Sequence, residues 1–170
     1  GKIVAIVGVG NKPRDYTDQD SRNLQLLADV THEIVLRKSS EESLRRSETY
    51  YRTVFETTGT AMIVFGEDTV IRQANANFQA LSGYSREEVE GRKSWTEFMH
   101  PDDVVRMKTY HELRGRDPEA APRQYEHRFL DRSGEEHHLL LSVDLIPGTG
   151  QRVASFMDIT QRRRTEDILS

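Results

Sequence analysis

The chain has 170 residues, of which 35% are hydrophobic and 31% charged, with a formal net charge of −4. This composition suits one globular domain with an appendage, and the negative charge argues against a nucleic-acid partner. The absence of cysteine excludes a disulfide scaffold, a cysteine-ligated zinc site and a thiol nucleophile. No apolar run approaches the ~20 residues that cross a bilayer, so we expect no membrane contact from this fragment of a larger protein. The absence of cysteine fits a reducing cytoplasm, where we expect the protein to be located.

The first 58 residues predict a short strand followed by helix. The apolar run Lys2–Val7 indicates the strand, Gly8–Pro13 a turn, and Thr17 a helix cap. Two apolar stripes at helical spacing follow, out of phase with each other. They comprise Leu24, Leu27, Ala28, Thr31, Ile34 and Val35, then Leu44, Ser47, Tyr51, Val54 and Phe55. Two alternatives explain this change of phase between the stripes. One is a continuous helix, and the other, slightly favoured, is two helical segments that meet near Ser39.

From Gly59 onward the pattern predicts two strands, several short helices and three further strands. The strands are expected at 61–65, 69–74, 124–130, 137–146 and 153–158, and the helices after Asn75, at 85–90, 94–99, 101–113 and from Gln161. This order predicts an α+β fold: a five-stranded antiparallel sheet with short helices on one face. We expect a curled sheet of this kind to enclose a space that ligands can use.

Six segments in this order resemble the PAS family. They are Tyr51–Glu56, Ala74–Ser85, Glu88–Arg92, His100–Asp103, Leu130–Gly134 and Met157–Arg162, the last of which looks like the Asp-Ile-Thr motif that ends the family's PAC region. The resemblance implies a PAS domain at residues 59–160 and the start of a signalling helix at 161–170. Residues 1–38 resemble the final strand and helix of a GAF domain, which leaves 39–58 as a connector helix.

The resemblance, together with the apolar pattern, suggests two groups of functional residues. The ligand-pocket candidates are Met62, Val64, Phe78, Leu81, Trp95, Phe98, Met107, Phe129, Leu141 and Phe156. The signal-coupling candidates are Asp158, Ile159, Thr160 and Arg162. In the family the aspartate often pairs with a basic residue and couples the sheet to the exit helix; a simple helix cap is the alternative.

We expect no metal site and no covalently bound cofactor. His137 and His138 are neighbours in a strand, so their side chains point to opposite faces. Some PAS oxygen sensors bind haem through a histidine that aligns near Met107 here, and His111 lies one turn further on. We expect neither haem nor flavin. The covalent flavin chemistry of some blue-light sensors requires a cysteine, and this chain has none.

The sequence therefore predicts a non-enzymatic sensory or relay module of a larger signalling protein, such as a histidine kinase or a cyclic-dinucleotide enzyme. A small-molecule ligand and a homodimer formed through the connector helices are the expected partners. One alternative is a PAS module that binds no ligand and only dimerises. Another is a nucleotide-binding enzyme fragment using Gly8–Lys12, which is disfavoured because Pro13 stands where the third glycine of that motif would fall.

Overall fold

The computed structural model describes residues 6–8, 10 and 13–169, apart from the side chain of Asp167. The predicted strand Lys2–Val7 and turn Gly8–Pro13 fall partly outside these residues, and Ile6 and Val7 have no regular secondary structure. The chain divides into two compact units, Gly1–Thr53 and Val54–Ser170. Among the described residues, no helix is both long enough and apolar enough to cross a membrane.

The first helix, α1, runs without a break from Asp18 to Thr57. Thr17 caps it: its Oγ1 accepts a hydrogen bond from Asp20 N, and Asp20 Oδ2 accepts one from Thr17 N. The predicted hinge near Ser39 is wrong, and the continuous-helix alternative is the one observed. No glycine or proline interrupts these 40 residues, so helix propensity is maintained across the slip between the apolar stripes.

Five antiparallel strands form one sheet in the order β2-β1-β5-β4-β3. The strands are β1 (Ala61–Phe65), β2 (Ile71–Ala74), β3 (Gln124–Leu130), β4 (Glu136–Leu145) and β5 (Arg152–Asp158). The predicted fold class is confirmed, with the first and last strands of the domain side by side. Strand β2 begins two residues later than predicted because Thr69 belongs to the preceding turn, where its φ is 67°.

Short helices cover one face of the sheet. They are α2 (Ala76–Ser82), α3 (Arg86–Val89), a 3₁₀ helix (Trp95–Phe98) and α4 (Pro101–Arg116), while the exit helix α5 (Thr160–Leu169) follows β5. Side chains of Asn75, Ser85 and Ser94 cap three of them. Gly83 ends α2 in the left-handed conformation, with φ of 76°, as the sequence predicted.

The core lies between these helices and the inner face of the sheet. Four buried phenylalanines at its centre come from one helix, the 3₁₀ helix and two strands: Phe78, Phe98, Phe129 and Phe156. Their ring centroids lie 5.3–6.2 Å apart, mostly in edge-to-face or tilted arrangements. These contacts fix α2 and the 3₁₀ helix against the sheet.

Asn75 joins three elements through four hydrogen bonds. Its Nδ2 donates to Phe55 O at 2.8 Å and to Thr60 O at 2.9 Å. Its Oδ1 accepts from Met62 N and Phe78 N, both at 2.9 Å. The side chain is fully buried, so the end of α1, the start of β1 and the N-terminus of α2 all depend on one amide for their hydrogen bonds.

We predict that Asn75→Ala lowers the free energy of unfolding by roughly 3 kcal/mol or more, because it removes a helix cap and leaves buried backbone groups unsatisfied. Asn75→Asp should also be strongly destabilising, because a carboxylate only accepts hydrogen bonds and would leave the two carbonyls that Asn75 Nδ2 contacts without a donor. Urea denaturation measures both. The control is Asn77→Ala, which removes a 3.4 Å hydrogen bond at a half-buried position; an equal effect there would contradict the assigned role of Asn75.

His127 is a buried polar residue inside the core. It lies on the inner face of β3 near the Phe156 ring, and neither ring nitrogen has a hydrogen-bond partner among the described residues. Burial lowers the pKa of His127 to about 4, although the Asp103 carboxylate acts in the opposite direction. Burial alone would raise the pKa of Asp103 itself, but hydrogen bonds from Arg128 outweigh it and bring that pKa down to about 2.

We predict that stability decreases between pH 6.5 and pH 4 because of His127. In this window the unfolded chain binds a proton on the imidazole and the folded chain does not, so acidification favours unfolding. The difference between the two pKa values corresponds to roughly 3 kcal/mol. The Asp103 contribution is lost only at lower pH, as the pH falls from 3.8 toward 2.

Urea denaturation of His127→Leu at a series of pH values tests this assignment. The variant should lose most of the decrease between pH 6.5 and pH 4 and keep a smaller slope from His111, whose pKa is also lowered by burial. The matched control, His138→Gln on the adjacent strand, should keep the wild-type profile because His127 is intact. An unchanged pH profile in His127→Leu would refute the assignment.

Candidate ligand pocket and exit-helix junction

A small cavity lies between the inner face of the sheet and helix α4. Its volume is about 20 Å³, enough for roughly one water molecule. Strands β1, β3, β4 and β5 contribute to its wall, together with α4 and the segment around the 3₁₀ helix. The lining residues are Ile63, Phe65, Trp95, Met99, Met107, His111, Arg114, Tyr125, Leu141, Val143, Ala154 and Phe156.

One end of the cavity is apolar and aromatic. The rings of Phe65 and Trp95 lie 6.1 Å apart, and the His111 ring lies within 6 Å of both. Trp95 Nε1 is buried and has no hydrogen-bond partner among the described residues. Met107 on α4 supplies a flexible, unbranched side chain to the same wall.

The other end of the cavity is polar. His111 Nε2 lies 2.9 Å from Glu67 O, and Arg114 Nη2 donates to Pro122 O. Burial lowers the pKa of His111, and the nearby Arg152 and Arg114 guanidinium groups lower it further. Burial also lowers the pKa of Arg114, and burial raises the pKa of Tyr125 to about 12. The phenol is therefore protonated at neutral pH.

Arg152 lies behind this polar end, on the inner face of β5. Its Nη1 donates to Gly150 O at 3.0 Å. A β-carbon at position 115 of α4 would lie 2.8 Å from Arg152 Nη2, so Gly115 leaves the space that the guanidinium occupies. Among the described residues, neither Arg114 nor Arg152 has a carboxylate within salt-bridge distance.

Four of the ten predicted pocket residues line this cavity: Trp95, Met107, Leu141 and Phe156. Phe78, Phe98 and Phe129 form the aromatic centre of the core instead, and Leu81 packs against it. Met62 lines a shallow depression on the outer face of the sheet, and Val64 shares its side of β1. The prediction thus chose the wrong face of β1, whose inward residues are Ile63 and Phe65.

The sequence interpretation missed the polar lining of the cavity. Met107, His111 and Arg114 have the i, i+4, i+7 spacing that places residues on one face of a helix. This spacing is visible in the sequence, and it places His111 and Arg114 on the same face of α4 as Met107. Tyr125 alternates with His127 and Phe129 on the inner face of β3, which is the pattern of a half-buried strand.

Asp158 and Thr160 hold the junction between β5 and α5. Asp158 Oδ1 accepts from Thr160 N at 2.8 Å, and Thr160 Oγ1 accepts from His138 N at 3.0 Å. Ile159 N donates to His138 O at 2.9 Å. Burial alone would raise the pKa of Asp158, but its hydrogen bonds with Thr160 outweigh this effect and lower it.

The arginines after this junction have other partners. Arg162 Nε pairs with Glu166 one turn along α5, at 2.9 Å. Arg163 pairs with Glu126 on β3. Asp158 accepts a hydrogen bond from the first helical N–H group of α5, and its Oδ2 also lies 3.6 Å from Nδ1 of the basic residue His137 on β4. Among the described residues, the ion pair between α5 and the sheet is made by Arg163 and not by Arg162.

Asp131, Glu135 and His137 bring potential metal-ligand atoms within 4.8 Å of one another at the β3–β4 turn. Asp131 Oδ1 accepts hydrogen bonds from Ser133 N, Ser133 Oγ and Glu135 N, and these interactions, with Ser133 foremost, lower the pKa of Asp131 to about 2. The hydrogen bonds explain the arrangement as that of a tight turn.

Comparison with known proteins identifies related sensors. A methyl sulfide methyltransferase-associated sensor from Methanosarcina acetivorans is 46% identical over 44 residues, 26% of this chain, and the match spans only 4% of that protein. The PAS domain of an HTR-like protein from Haloarcula marismortui superposes with a TM-score of 0.58 at 22% identity, covering 72% of this chain and 99% of that one.

A domain of a sensory box sensor histidine kinase/response regulator from Geobacter sulfurreducens superposes with a TM-score of 0.59 at 19% identity, covering 68% of this chain and 96% of that one. Identities this low show a shared fold. The family model described as PAS fold matches residues 71–157, just over half of the chain and all of β2 to β4. The chain therefore belongs to the PAS fold family and contains a PAS sensor domain of the kind found in signalling proteins.

Proposed function

We propose that this chain is a non-enzymatic sensory and relay module in which the state of the α4–sheet cavity controls helix α5. The observation that carries the proposal is the path of strand β5. Ala154 and Phe156 of β5 line the cavity, and the strand ends two residues later at Asp158, which caps α5. A change in the occupancy of the cavity that shifts β5 would thus be transmitted to the exit helix by this single strand.

The energy required for such a relay is small. A conformational equilibrium with two states is shifted by a ligand that binds one state a few kcal/mol more tightly than the other. Hydrogen bonds and an ion pair anchor the start of α5 to β3 and β4, so their rearrangement would change the direction of the helix. No redox or bond-making step is needed for this function.

A PAS module that binds no ligand and only dimerises is the second candidate. The small cavity favours it, since about 20 Å³ accommodates a water molecule and little else without movement of the walls. A haem or a flavin would require a far larger opening of the core. Native mass spectrometry of the purified protein separates the two candidates, because it reports a co-purified molecule and the oligomeric state together.

A homodimer through α1 belongs to the proposal. The helix has one buried residue, Phe55, and exposes many large apolar side chains, including Leu27 and Ile34, each 61% exposed. A second copy of the same helix would cover this stripe in the manner of a coiled coil.

Three further expectations stay predictions. They are the assignment of residues 1–38 as the end of a GAF domain, a cytoplasmic location, and a kinase or cyclic-dinucleotide enzyme as the parent protein.

The relay can be tested by filling the cavity from β5. We predict that Ala154→Val, which adds two methyl groups on the cavity side, changes the distance distribution between spin labels at Val105→Cys on α4 and Arg164→Cys on α5. The chain contains no other cysteine, so labelling is specific. Double electron–electron resonance on labelled protein diluted with unlabelled protein measures the distances.

Two further variants make this test specific. Ser155→Val places a similar change on the outer face of the same strand and should leave the distances unchanged. Thr160→Val removes the hydroxyl that anchors α5 to His138, and combined with Ala154→Val it should abolish the shift. Equal shifts from Ala154→Val and Ser155→Val would contradict the relay.

We predict that the double variant Leu27→Glu with Ile34→Glu converts a dimer into a monomer in sedimentation velocity, because charges on the apolar stripe repel each other across a helix pair. Leu36→Glu is the matched control, since Leu36 is also exposed but lies on the opposite side of α1. A dimer that persists in the double variant, or a chain that is monomeric from the start, would refute dimerisation through this stripe.

A further inference from the structure

Two buried arginines, Arg114 in the wall of the cavity and Arg152 behind it, form no salt bridge among the described residues. Arg114 is 3% exposed and Arg152 2% exposed, and no carboxylate of the described residues lies within salt-bridge distance of either. Asp144 acts on Arg114 through the electrostatic field, and its carboxylate lies 3.8 Å from Arg123. Glu67 presents its backbone carbonyl to His111.

Two buried guanidinium groups that act on each other electrostatically are an unfavourable arrangement. Each has lost hydration, each repels the other, and arginine does not become neutral in proteins. Buried charges are normally compensated by an opposite charge or a bound ion. The partners present here are the carbonyls of Pro122 and Gly150 and the phenol oxygen of Tyr125, which accepts from Arg114. All of them are neutral, so the net positive charge stays in place.

The unsatisfied atoms around the cavity point to the type of group that is required. Within the described part of the chain, Trp95 Nε1 and Arg114 Nε in the cavity wall and Arg152 Nε behind it are buried N–H donors without an acceptor, and His111 Nδ1 is also without a partner. Three of these four atoms can only donate. A ligand that complements them must therefore supply acceptors, and the two arginines favour acceptors with negative charge.

From these observations we infer that the cavity binds a short-chain carboxylate, with its carboxyl group at Arg114 and Arg152 and its alkyl group against Phe65, Trp95 and Met107. The inference rests on the proposed sensory function and names the ligand class of that same cavity. A carboxylate fits better than a spherical anion because it accepts paired hydrogen bonds from guanidinium groups. The neutral phenol of Tyr125 can donate a further hydrogen bond to it.

The cavity must widen to admit such a molecule. Met99 and Met107 line it, and unbranched thioether side chains change rotamer at low cost. This widening also provides the link to signalling, because Ala154 and Phe156 of β5 lie on the opposite wall. A short alkyl chain is therefore a better match than a large ring system.

Trp95 provides a direct readout, since it is the single tryptophan of the chain and lies in the cavity wall. Titration of the complete 170-residue chain with sodium propionate, at constant ionic strength, should change its fluorescence with saturation. Propionamide has nearly the same shape without the charge and should give no saturable change. Sodium chloride tests whether any small anion suffices, and it too should give no saturable change.

Three variants assign the effect to the two arginines. Arg114→Met and Arg152→Met should each raise the half-saturation concentration of propionate at least tenfold. Gly115→Ala should raise it severalfold by displacing the Arg152 guanidinium, and it keeps both charges and a helix-favouring residue in α4. Arg123→Met, which removes an exposed arginine paired with Glu119, should leave it within twofold of wild type.

The results separate this inference from the sensory function. Equal responses to propionate and propionamide, a response to chloride alone, or an unchanged midpoint in both Arg114→Met and Gly115→Ala would overturn the carboxylate site. If propionate has no effect while Ala154→Val still moves α5, the ligand class is wrong and the relay stands. If propionate binds but neither it nor Ala154→Val moves α5, the site is real and the relay fails.

Discussion

The buried amide of Asn75 is the interaction on which the rest of this domain depends. Its two donors and its oxygen, which accepts twice, are used by four backbone groups from the end of α1, the start of β1 and the first turn of α2. A side chain with other chemistry at this position cannot satisfy two carbonyls and two N–H groups together. The end of α1 is thereby joined to β1, one of the strands that form the cavity.

Most of the fold could be predicted because its local signals agree. Asn75, Ser85 and Ser94 precede short helices, and Gly83 ends one of them, as their chemistry requires. The alternation of residues in β3, β4 and β5 predicted the ends of these strands to within a residue or two. The continuity of α1 was harder to predict, because a change of apolar phase has the same sequence signature whether the helix bends or continues.

The cavity was only partly predictable, for a different reason. In β1 every residue is apolar, so alternation could not distinguish the face of Ile63 and Phe65 from that of Met62 and Val64. His111 and Arg114 have the helical spacing of core residues, yet charged and polar side chains are expected at the surface. Their burial follows from the way α4 lies across the sheet, which is a property of the tertiary structure.

The same departure from the usual pattern is the basis of the function that we propose for the cavity. Apolar residues would fill the space beside Trp95 and Met107 with less unfavourable electrostatics than Arg114 and Arg152 do. Natural sequences break such a rule at functional sites and compensate for it elsewhere in the fold. Here the arginines lie beside a core of closely packed aromatic rings, and Arg152 belongs to β5, the strand that leads directly into α5. Because one strand carries both Arg152 and Asp158 at the start of the exit helix, the proposed relay needs only this strand to connect the charge balance of the cavity with the element that follows the domain.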